Sequence, residues 1–328
     1  MDQVRWGIIG CGDVTEVKSG PGFQKSNQSS LVAVMRRDGE LAADYARRHH
    51  VPKWYVDADD LINDSEVDAV YIATPPAFHK EYTLKCAQAG KPVYVEKPMA
   101  LNTIESLVML EACNEASVPL FVAYYRRSMP KFLRIKELLD SGIIGEIRYV
   151  SIRNSTPLLD ISSDNELPWR VIPELAGGGY FMDIGCHSLD LLDFLLGPIR
   201  QASGHIGNQG GLYKAEDIVT ASWAFESGVQ GTGMWSFAAF EHVDLTEIVG
   251  NKGKISFSTF GTDPIVLTSA DERIEFPVET PLHVQQPLIQ TIVNELLGIG
   301  ICPSHGESAV RTSIVMDRIM NVNGESFK

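Results

Sequence analysis

The sequence predicts two parts of different fold class: an α/β part with a parallel sheet, then an α+β part with a mostly antiparallel sheet. In the first third, short β-branched runs alternate with helical patterns, which is typical of a parallel sheet covered by helices. After residue 124, strand-like runs follow one another across connections rich in Gly, Asn and Asp, as in antiparallel sheets. The 328 residues have the length of about two domains.

The first part is predicted to contain five strands and three helices. The strands are the runs RWGIIG, SSLVAVMRR, DAVYIATPP, KPVYVEKP and PLFVAYYRR. The helices are GELAADYARRHH, AFHKEYTLKCAQAG, which ends at Gly90, and NTIESLVMLEACNEAS, which Asn102 or Thr103 caps. Because the strands are predicted to be parallel, their carboxyl ends meet at one edge, where ligands of such sheets bind.

The second part begins with a helix in MPKFLRIKELLDSG and a strand in GEIRYVSIRN, and another helix is predicted near Ile184 to Leu196. Seven more strand-like runs follow: QASGHIG, DIVTASWAFESG, GVQGTGMWSFAA, VDLTEIVGNKG, GKISFSTFG, DPIVLTS and ERIEFPV. They predict an antiparallel meander. In the last two segments, apolar residues again recur at the spacing of a helix. These segments are QQPLIQTIVNELLGIG and SAVRTSIVMDRIM. The predicted domains are residues 1–123, 124–284 and, as C-terminal helices, 285–328.

Composition excludes several classes of function. The formal net charge of −14 and the lack of a basic stripe argue against a nucleic-acid partner. The five cysteines are scattered and form no C-x-x-C pair, which favours a reduced, cytoplasmic protein without a metal site over a disulfide framework. The start MDQVRWGIIGCG has no long apolar segment, and LDLLDFLLG is too short to span a bilayer, so we expect no membrane partner.

A glycine turn follows the first predicted strand, in WGIIGCGDVT. Gly10 permits the tight turn, and Gly12 lets the backbone approach a pyrophosphate at the next helix N-terminus. Thr15 replaces the third glycine of the dinucleotide-binding (Rossmann) fingerprint, so the motif alone leaves an ordinary tight turn equally open. Its position at the start of a strand–helix series favours nucleotide binding. The predicted cofactor-binding residues here are Gly10, Gly12, Asp13 and Val14.

The end of the second strand bears on which dinucleotide is bound. NAD-binding domains usually place a carboxylate there for the ribose 2′-hydroxyl, and NADP-binding domains an arginine for the 2′-phosphate. Here Arg36 and Arg37 occupy this region and Asp38 comes slightly later. Two guanidinium groups attract a phosphate dianion, so we favour NADP(H). The alternative is NAD(H), with Asp38 binding the ribose.

Two more strand ends reach the same edge. Thr74 and Pro75 form a stiff turn, and His79 begins the next helix, either as a cofactor contact or as a capping or packing residue. The fourth strand delivers Glu96 and Lys97 to this edge. We therefore predict that Lys97 faces the nicotinamide end of the cofactor and that Glu96 lies in the cofactor site. A surface lysine paired with Glu96 is the structural alternative.

A helix in the second part carries a third candidate motif, in GGGYFMDIGCHSLDLLDFLLG. Asp183, His187, Asp190 and Phe194 recur at helical spacing and share a face. A neighbouring carboxylate stabilises an imidazolium and fixes the ring's orientation. The motif by itself leaves a catalytic histidine and a buried polar pair equally open.

Taken in order, the glycine turn, TPPAFH, Glu96-Lys97-Pro98, AYYRR and D-x-G-x-H-x-x-D resemble the Gfo/Idh/MocA oxidoreductase family over nearly the whole chain. The resemblance implies a Rossmann domain, then an α+β domain with a large open, mostly antiparallel sheet whose exposed face forms a homodimer or homotetramer interface. It also implies C-terminal helices that pack toward the first domain and a cis Lys97–Pro98 peptide bond. The catalytic residues implied are Lys97, Asp183 and His187.

These expectations define an NAD(P)-dependent oxidoreductase that transfers hydride between nicotinamide and a secondary alcohol or ketone of a sugar, inositol or related polyol. His187 exchanges the proton, Lys97 hydrogen-bonds the reacting oxygen and Asp183 orients His187 or binds a hydroxyl. Tyr124, Tyr125 and Trp169 offer an apolar floor for the substrate, with core packing as the alternative. Arg126, Arg127 and Arg170 contact substrate or cofactor, or form ion pairs instead.

Two other functions remain open at this point. A glycosidase that uses bound NAD transiently has the same fold and recycles its cofactor. A regulator that binds dinucleotide without turnover is the second alternative, and the intact set of Lys97, Asp183 and His187 argues against it.

Overall fold

Two hydrogen-bonded sheets organise the chain, one in each of two units. The computed structural model describes residues 2–159 and 166–321. The first unit comprises Met1–Met129 and Pro281–Val310, and the second comprises Pro130–Thr280 and Arg311–Lys328.

The first unit contains a six-stranded sheet in which every pair of neighbours is parallel. Strands buried on both faces read as continuous apolar runs, and the central strand AVYI is of this kind. The spatial order is β3-β2-β1-β4-β5-β6. The strands are β1 (Val4–Ile9), β2 (Ser29–Met35), β3 (Lys53–Tyr55), β4 (Ala69–Ile72), β5 (Val93–Val95) and β6 (Leu120–Val122).

Six helices connect these strands and have local sequence causes. Asp38 caps α3 by accepting from the backbone of Glu40 and Leu41, and Asn102 caps α6 by accepting from Glu105 N. The predicted cap at Asn102 is therefore confirmed. The helices are α1 (Asp13–Val17), α2 (Gly20–Lys25), α3 (Gly39–Arg48), α4 (Ala58–Ile62), α5 (His79–Gln88) and α6 (Thr103–Glu115).

The sequence patterns missed β3, α2 and α4 of this unit. Strand β3 has three residues, α2 has six and α4 has five, so these elements are too short to show the spacing of apolar residues typical of a strand or a helix. Strand β3 extends the sheet beside β2 and leaves the predicted central strands unchanged.

The second unit contains an eight-stranded sheet, and each of its strands falls in one of the strand-like runs predicted from the sequence. The strands are β7 (Ile147–Ser155), β8 (Ile199–Gly207), β9 (Ile218–Phe225), β10 (Gln230–Ser236), β11 (Val243–Gly250), β12 (Gly253–Phe257), β13 (Ile265–Ser269) and β14 (Arg273–Phe276). The predicted fold class, a parallel sheet plus a mostly antiparallel sheet, is confirmed.

The order of this sheet is not that of a simple meander. Strand β7 lies between β11 and β10, and it pairs in parallel with β10, whereas the other described pairs are antiparallel. A parallel pair needs a crossover, and a helical segment precedes β8 here. The meander prediction is wrong between β10 and β11, which β7 separates, because alternation reports which face is buried and not which strand is the neighbour.

Helices of the second unit include the one that carries the predicted histidine motif. They are α7 (Pro130–Asp140), α8 (Pro173–Ala176) and α9 (Tyr180–Leu196). Helix α9 begins four residues before the predicted start at Ile184. Near the C-terminus, α10 (Gln286–Leu296) belongs to the first unit. Helix α11 (Gly306–Met320) follows, and most of it, from Arg311 onward, belongs to the second unit. Within the described ranges, no helix combines the length and apolar character needed to cross a membrane.

Candidate active site

Most of the predicted cofactor residues follow the carboxyl ends of neighbouring parallel strands. Gly10 follows β1, Arg36 follows β2, Thr74 comes shortly after β4, and Glu96 and Lys97 follow β5. Because these strands are mutually parallel, the residues lie at one edge of the first unit's sheet. Dinucleotides bind at this edge in open α/β sheets.

The glycine turn is tightly packed at Gly10 and open at Gly12. Gly10 has φ +91°, and a Cβ there would lie 2.8 Å from Thr74 Cγ2 and 3.1 Å from the Ala73 carbonyl. A Cβ at Gly12 would meet only the Gly10 carbonyl oxygen, at 4.0 Å. The turn therefore needs glycine at its first position and leaves space at its second, as backbone contact with a phosphate requires. Helix α1 begins with Asp13, which is exposed, and Val14, which is half-buried.

The structure gives Thr15 a role at the third position of the motif. Its Oγ1 donates to the Gly12 carbonyl over 2.7 Å, and its own carbonyl accepts from Tyr45 Oη over 2.9 Å. The fully buried threonine thus ties the first turn of α1 to the glycine turn and to α3.

Both arginines after β2 lie beside other parts of this edge. Arg36 donates from Nη1 to the Cys11 carbonyl in the glycine turn over 3.3 Å. The Arg37 guanidinium lies 5.4 Å from the centroid of the Phe78 ring, which belongs to the turn after β4. Asp38 Oδ1, in contrast, accepts from Glu40 N at 3.0 Å and Leu41 N at 3.1 Å. Its carboxylate is oriented toward the N-terminus of α3.

His79 is fully buried under the turn that Thr74 and the half-buried Pro75 form. Its Nε2 lies 2.8 Å from the Thr74 carbonyl oxygen, and Nδ1 lies 3.1 Å from that of Pro98. Burial lowers the pKa of His79 from its usual value. This placement favours the packing alternative, because the imidazole links two strand-end loops.

Glu96 and Lys97 differ in exposure although they are adjacent. Glu96 is buried, and its carboxylate accepts from side chains inside the first unit. Lys97 is half-buried, and the Lys97–Pro98 peptide bond is cis. Gln285 donates to the Glu96 carboxylate, but the sequence gives no sign of this contact. The two residues are 189 positions apart, and Gln285 belongs to no recognisable motif.

Four predicted substrate residues after β6 are buried within the first unit. Tyr124 is 1% exposed and Tyr125 is 8% exposed, which favours core packing for both rings. The Arg126 guanidinium lies 5.0 Å from the Tyr125 ring centroid, and Arg127 Nη1 donates to the Pro303 carbonyl over 3.2 Å. These arginines thus contribute to the packing of this segment.

In the second unit, an ion pair joins two of the predicted substrate residues. Arg170 Nε donates to Asp183 Oδ2 over 3.1 Å, and the Arg170 guanidinium lies 4.5 Å from the Trp169 ring centroid. The three side chains form a continuous group of aromatic, cationic and anionic surface at the start of α9. Such a group can bind a polyhydroxylated ring through hydrogen bonds and ring-face contact.

His187 lies one turn further along α9 and is 4% exposed. The Phe260 ring stands edge-on to the imidazole, with 6.0 Å between ring centroids and an interplanar angle of 71°. Asp190, which shares this face, accepts from Thr312 Oγ1 at 3.3 Å. A phenyl ring therefore covers one side of the predicted catalytic histidine.

The loop that carries Phe260 is held from two sides. The Asp244 carboxylate accepts from the backbone of Thr259 at 3.0 Å, Phe260 at 2.6 Å and Gly261 at 3.0 Å. The buried Lys131 donates from Nζ to Ser258 Oγ at 2.8 Å and to the Gly261 carbonyl at 3.1 Å. Sequence analysis missed these residues because contacts between a strand, a helix and a loop leave no local spacing signal.

Metal and disulfide chemistry have no structural support in the described parts of the chain. No group of three or more His, Cys, Asp or Glu side chains in residues 2–159 and 166–321 is arranged to hold a metal ion. The cysteines at 11, 86, 113, 186 and 302 are buried, and no disulfide joins them.

Comparison with protein families gives two matches that together cover most of the chain. The profile described as an oxidoreductase family with an NAD-binding Rossmann fold (GFO_IDH_MocA) matches residues 4–124. The profile of the GFO/IDH/MocA C-terminal domain matches residues 132–256.

Individual relatives agree with these matches. The chain is 41% identical over 316 residues to Oxidoreductase P35 of Formosa agariphila, with 96% of this chain and 98% of that protein covered. It is 33% identical over 198 residues to the D-xylose 1-dehydrogenase [NADP(+)] of Haloarcula marismortui, which covers 60% of this chain and 55% of the relative. A levoglucosan dehydrogenase solved with NADH and levoglucosan has the same fold, with a TM-score of 0.85, 22% identity and coverage of 98% and 97%.

Proposed function

This chain belongs to the Gfo/Idh/MocA family of NAD(P)-dependent oxidoreductases, and from that premise we propose that it transfers hydride between NADP(H) and a secondary alcohol or ketone of a sugar or polyol. The observation that carries the proposal is the meeting of the glycine turn, the two arginines and Lys97 at one edge of the first unit's sheet. A dinucleotide bound along this edge has its phosphates at the glycine turn.

The preference for NADP(H) rests on the side chains after β2. Arg36 and Arg37 are the cations at this strand end, and Asp38 caps α3. A 2′-phosphate accepts charge-assisted hydrogen bonds from guanidinium groups, whereas the ribose hydroxyl of NAD needs an acceptor. The proposed contacts of the cofactor include Gly10, Gly12, Asp13, Val14, Arg36, Arg37, Thr74, Pro75, Glu96 and Lys97.

The proposed chemistry uses three side chains. Lys97 hydrogen-bonds the oxygen of the reacting carbon and stabilises its alkoxide character. His187 takes the proton of the alcohol during oxidation and returns it during reduction, because imidazole titrates near neutral pH. Asp183, which is paired with Arg170, binds a neighbouring hydroxyl or orients His187. The bound nicotinamide supplies or accepts the hydride.

A sugar or cyclic polyol is the proposed substrate class. Trp169, Arg170 and Asp183 provide the ring-face contact and the paired charges that a polyhydroxylated ligand uses. Two relatives are named for activity on D-xylose and on levoglucosan, which supports the same class.

We also propose the three-part division at residues 123 and 284 as the domain organisation.

A turnover assay of the wild-type protein and the Lys97→Ala variant tests this function. The substrates are D-xylose and levoglucosan with NADP⁺, and inososes and ketoses with NADPH. We expect turnover by the wild type, a kcat at least about 100-fold lower in the variant, and a change of less than about fivefold in NADPH affinity. A variant that turns over as fast as the wild type contradicts the role of Lys97. NADP(H) that is recycled without net consumption points to the glycosidase alternative.

A further inference from the structure

A buried carboxylate lies directly before the proposed catalytic lysine. Glu96 is 7% exposed. Its Oε1 accepts from Tyr71 Oη at 2.5 Å and from Gln285 Nε2 at 2.6 Å, and its Oε2 accepts from the backbone N of Lys97 at 3.2 Å. Three donors from three separate parts of the first unit therefore converge on this carboxyl group.

Gln285 completes this network from the C-terminal segment of the first unit. It is fully buried, and its Oε1 accepts from Tyr94 Oη over 2.7 Å while its Nε2 donates to Glu96. Burial raises the pKa of Tyr71 and of Tyr94 well above 10, so both hydroxyls keep their protons and act as donors. The two rings stack with centroids 4.8 Å apart, which fixes the positions of both hydroxyls. The amide of Gln285 therefore has one orientation that satisfies every partner.

The backbone around Gln285 is anchored beside the end of α1. Gln285 N donates to the Lys18 carbonyl over 3.2 Å. His283 Nδ1 lies 2.6 Å from the Val17 carbonyl oxygen, which can only accept, so Nδ1 carries the proton. His283 Nε2 then accepts from Lys25 Nζ at 2.8 Å. The segment 283–285 thus connects the helix that follows the glycine turn with the carboxylate that precedes Lys97.

On this basis we propose that Gln285 is a positioning residue for the hydride-transfer reaction. It holds the Glu96 carboxylate in the orientation that binds the backbone N–H of Lys97, and so fixes the point from which the lysine side chain extends. The inference rests on the proposed function, since it gives Gln285 a role through Lys97. Misplacement of a catalytic group by about 1 Å costs roughly 100-fold in rate.

Two substitutions separate positioning from general stability. Gln285→Leu keeps a similar volume and removes both hydrogen bonds of the amide. Gln285→Glu makes the network depend on pH. When the new carboxyl group is protonated, it can still donate to Glu96 and accept from Tyr94. When it is ionised, it places a second negative charge beside Glu96. The Glu96–Gln285 network has other titratable groups within electrostatic reach. They are Tyr71, Tyr94, Lys97 and His79 and, near Tyr94, Tyr125 and Cys302.

Gln290→Glu is the matched control. Gln290 lies on α10 in the same unit. Its Oε1 accepts from Asn27 N over 2.7 Å, a bond that a carboxylate can keep, and its Nε2 donates to Asn294 Oδ1 over 2.9 Å and to the Asn27 carbonyl over 3.3 Å, bonds that a carboxylate loses as the Gln285→Glu variant loses its own. The charge change is the same as in Gln285→Glu, but it lies outside the Glu96 network.

The experiment measures kcat and KM from pH 5 to 9 with the sugar that the wild type oxidises fastest, together with NADPH affinity by fluorescence titration. We expect Gln285→Leu to lower kcat about 10- to 100-fold while NADPH affinity stays within about threefold. We expect Gln285→Glu to approach wild-type kcat at low pH and to lose it as pH rises, and Gln290→Glu to follow the wild type.

A Gln285→Leu variant with wild-type kcat overturns the positioning role. So does a Gln285→Glu variant whose pH profile has the wild-type shape, or a loss of NADPH affinity as large as the loss of kcat. These outcomes differ from failure of the proposed function, in which the wild type itself binds NADPH but oxidises no sugar or polyol, and which overturns this inference as well.

Discussion

Arg36 and Arg37 hold different positions although they are consecutive residues. Arg36 reaches back to the glycine turn, and Arg37 stacks over Phe78 in the turn after β4. A 2′-phosphate between them would receive hydrogen bonds from two directions. We therefore expect the choice between NADPH and NADH to depend on these two side chains.

Replacement of either arginine by alanine is expected to weaken NADPH binding roughly 10- to 100-fold, the range that a charge-assisted hydrogen bond supplies. NADH affinity should change by less than about threefold, because NADH has no 2′-phosphate. Parallel titrations that follow tryptophan quenching and nicotinamide fluorescence measure both affinities.

Arg47→Ala is the control for this prediction, since Arg47 is an exposed arginine on α3 that pairs with Asp44. It should leave the NADPH-to-NADH ratio unchanged. Tighter binding of NADH than NADPH by the wild type would assign the ribose to Asp38 and contradict the NADP(H) proposal.

At the scale of elements, the loop after β12 depends on β11 for its conformation. Three consecutive backbone N–H groups of this loop donate to the single carboxylate of Asp244. The loop places Phe260 against His187, so Asp244 on β11 holds the loop that lies beside the histidine.

Asp244→Ala removes the acceptor for these three donors and is expected to destabilise the protein by about 1–3 kcal/mol. Because Phe260 loses its fixed position, kcat should fall as well. Denaturant unfolding and the turnover assay measure the two effects.

Asp263→Ala serves as the control, because Asp263 is an exposed aspartate of the same loop region. Its stability and kcat should match the wild type. An Asp244→Ala variant as stable and active as Asp263→Ala would show that the loop keeps its conformation without the carboxylate.

At the scale of the whole molecule, the second unit's sheet has one face that is buried and one that is open. Along β7, Val150 and Ile152 are buried while Tyr149 is 50% exposed. Thr232 lies centrally on the open face, opposite Ser151 and Ser222 on the neighbouring strands. Small hydroxyl side chains beside an exposed aromatic ring form a flat surface of the kind that a symmetric interface can use.

We predict that this face forms a homodimer or homotetramer interface, as the resemblance to the family implies. Thr232→Arg should then convert the native assembly to a monomer, because two-fold symmetry places each introduced cation in the interface of both copies. Analytical ultracentrifugation measures the mass.

Gln88→Arg introduces the same charge at an exposed site on α5 of the first unit and should leave the mass unchanged. A wild-type protein that sediments as a monomer, or a Thr232→Arg protein with the wild-type mass, would exclude an interface on this face.

The sequence by itself determined the order and type of the long elements and the strand ends that carry the candidate chemistry. The alternation in GEIRYVSIRN and the run VYVEKP are local signals, because burial of one or both faces of a strand dictates a pattern within a few residues. The positions of Gly10, Arg36, Lys97 and His187 relative to their own strand or helix follow from such signals.

Only the tertiary structure decided which elements are neighbours. Strand β7 pairs in parallel with β10, Gln285 binds Glu96 across 189 residues of sequence, and Phe260 covers His187. Periodicity records which face of an element is buried, but the partner on that face is selected by packing and hydrogen bonding among distant segments. For this reason the catalytic candidates could be read from motifs, whereas the residues that hold them in place could not.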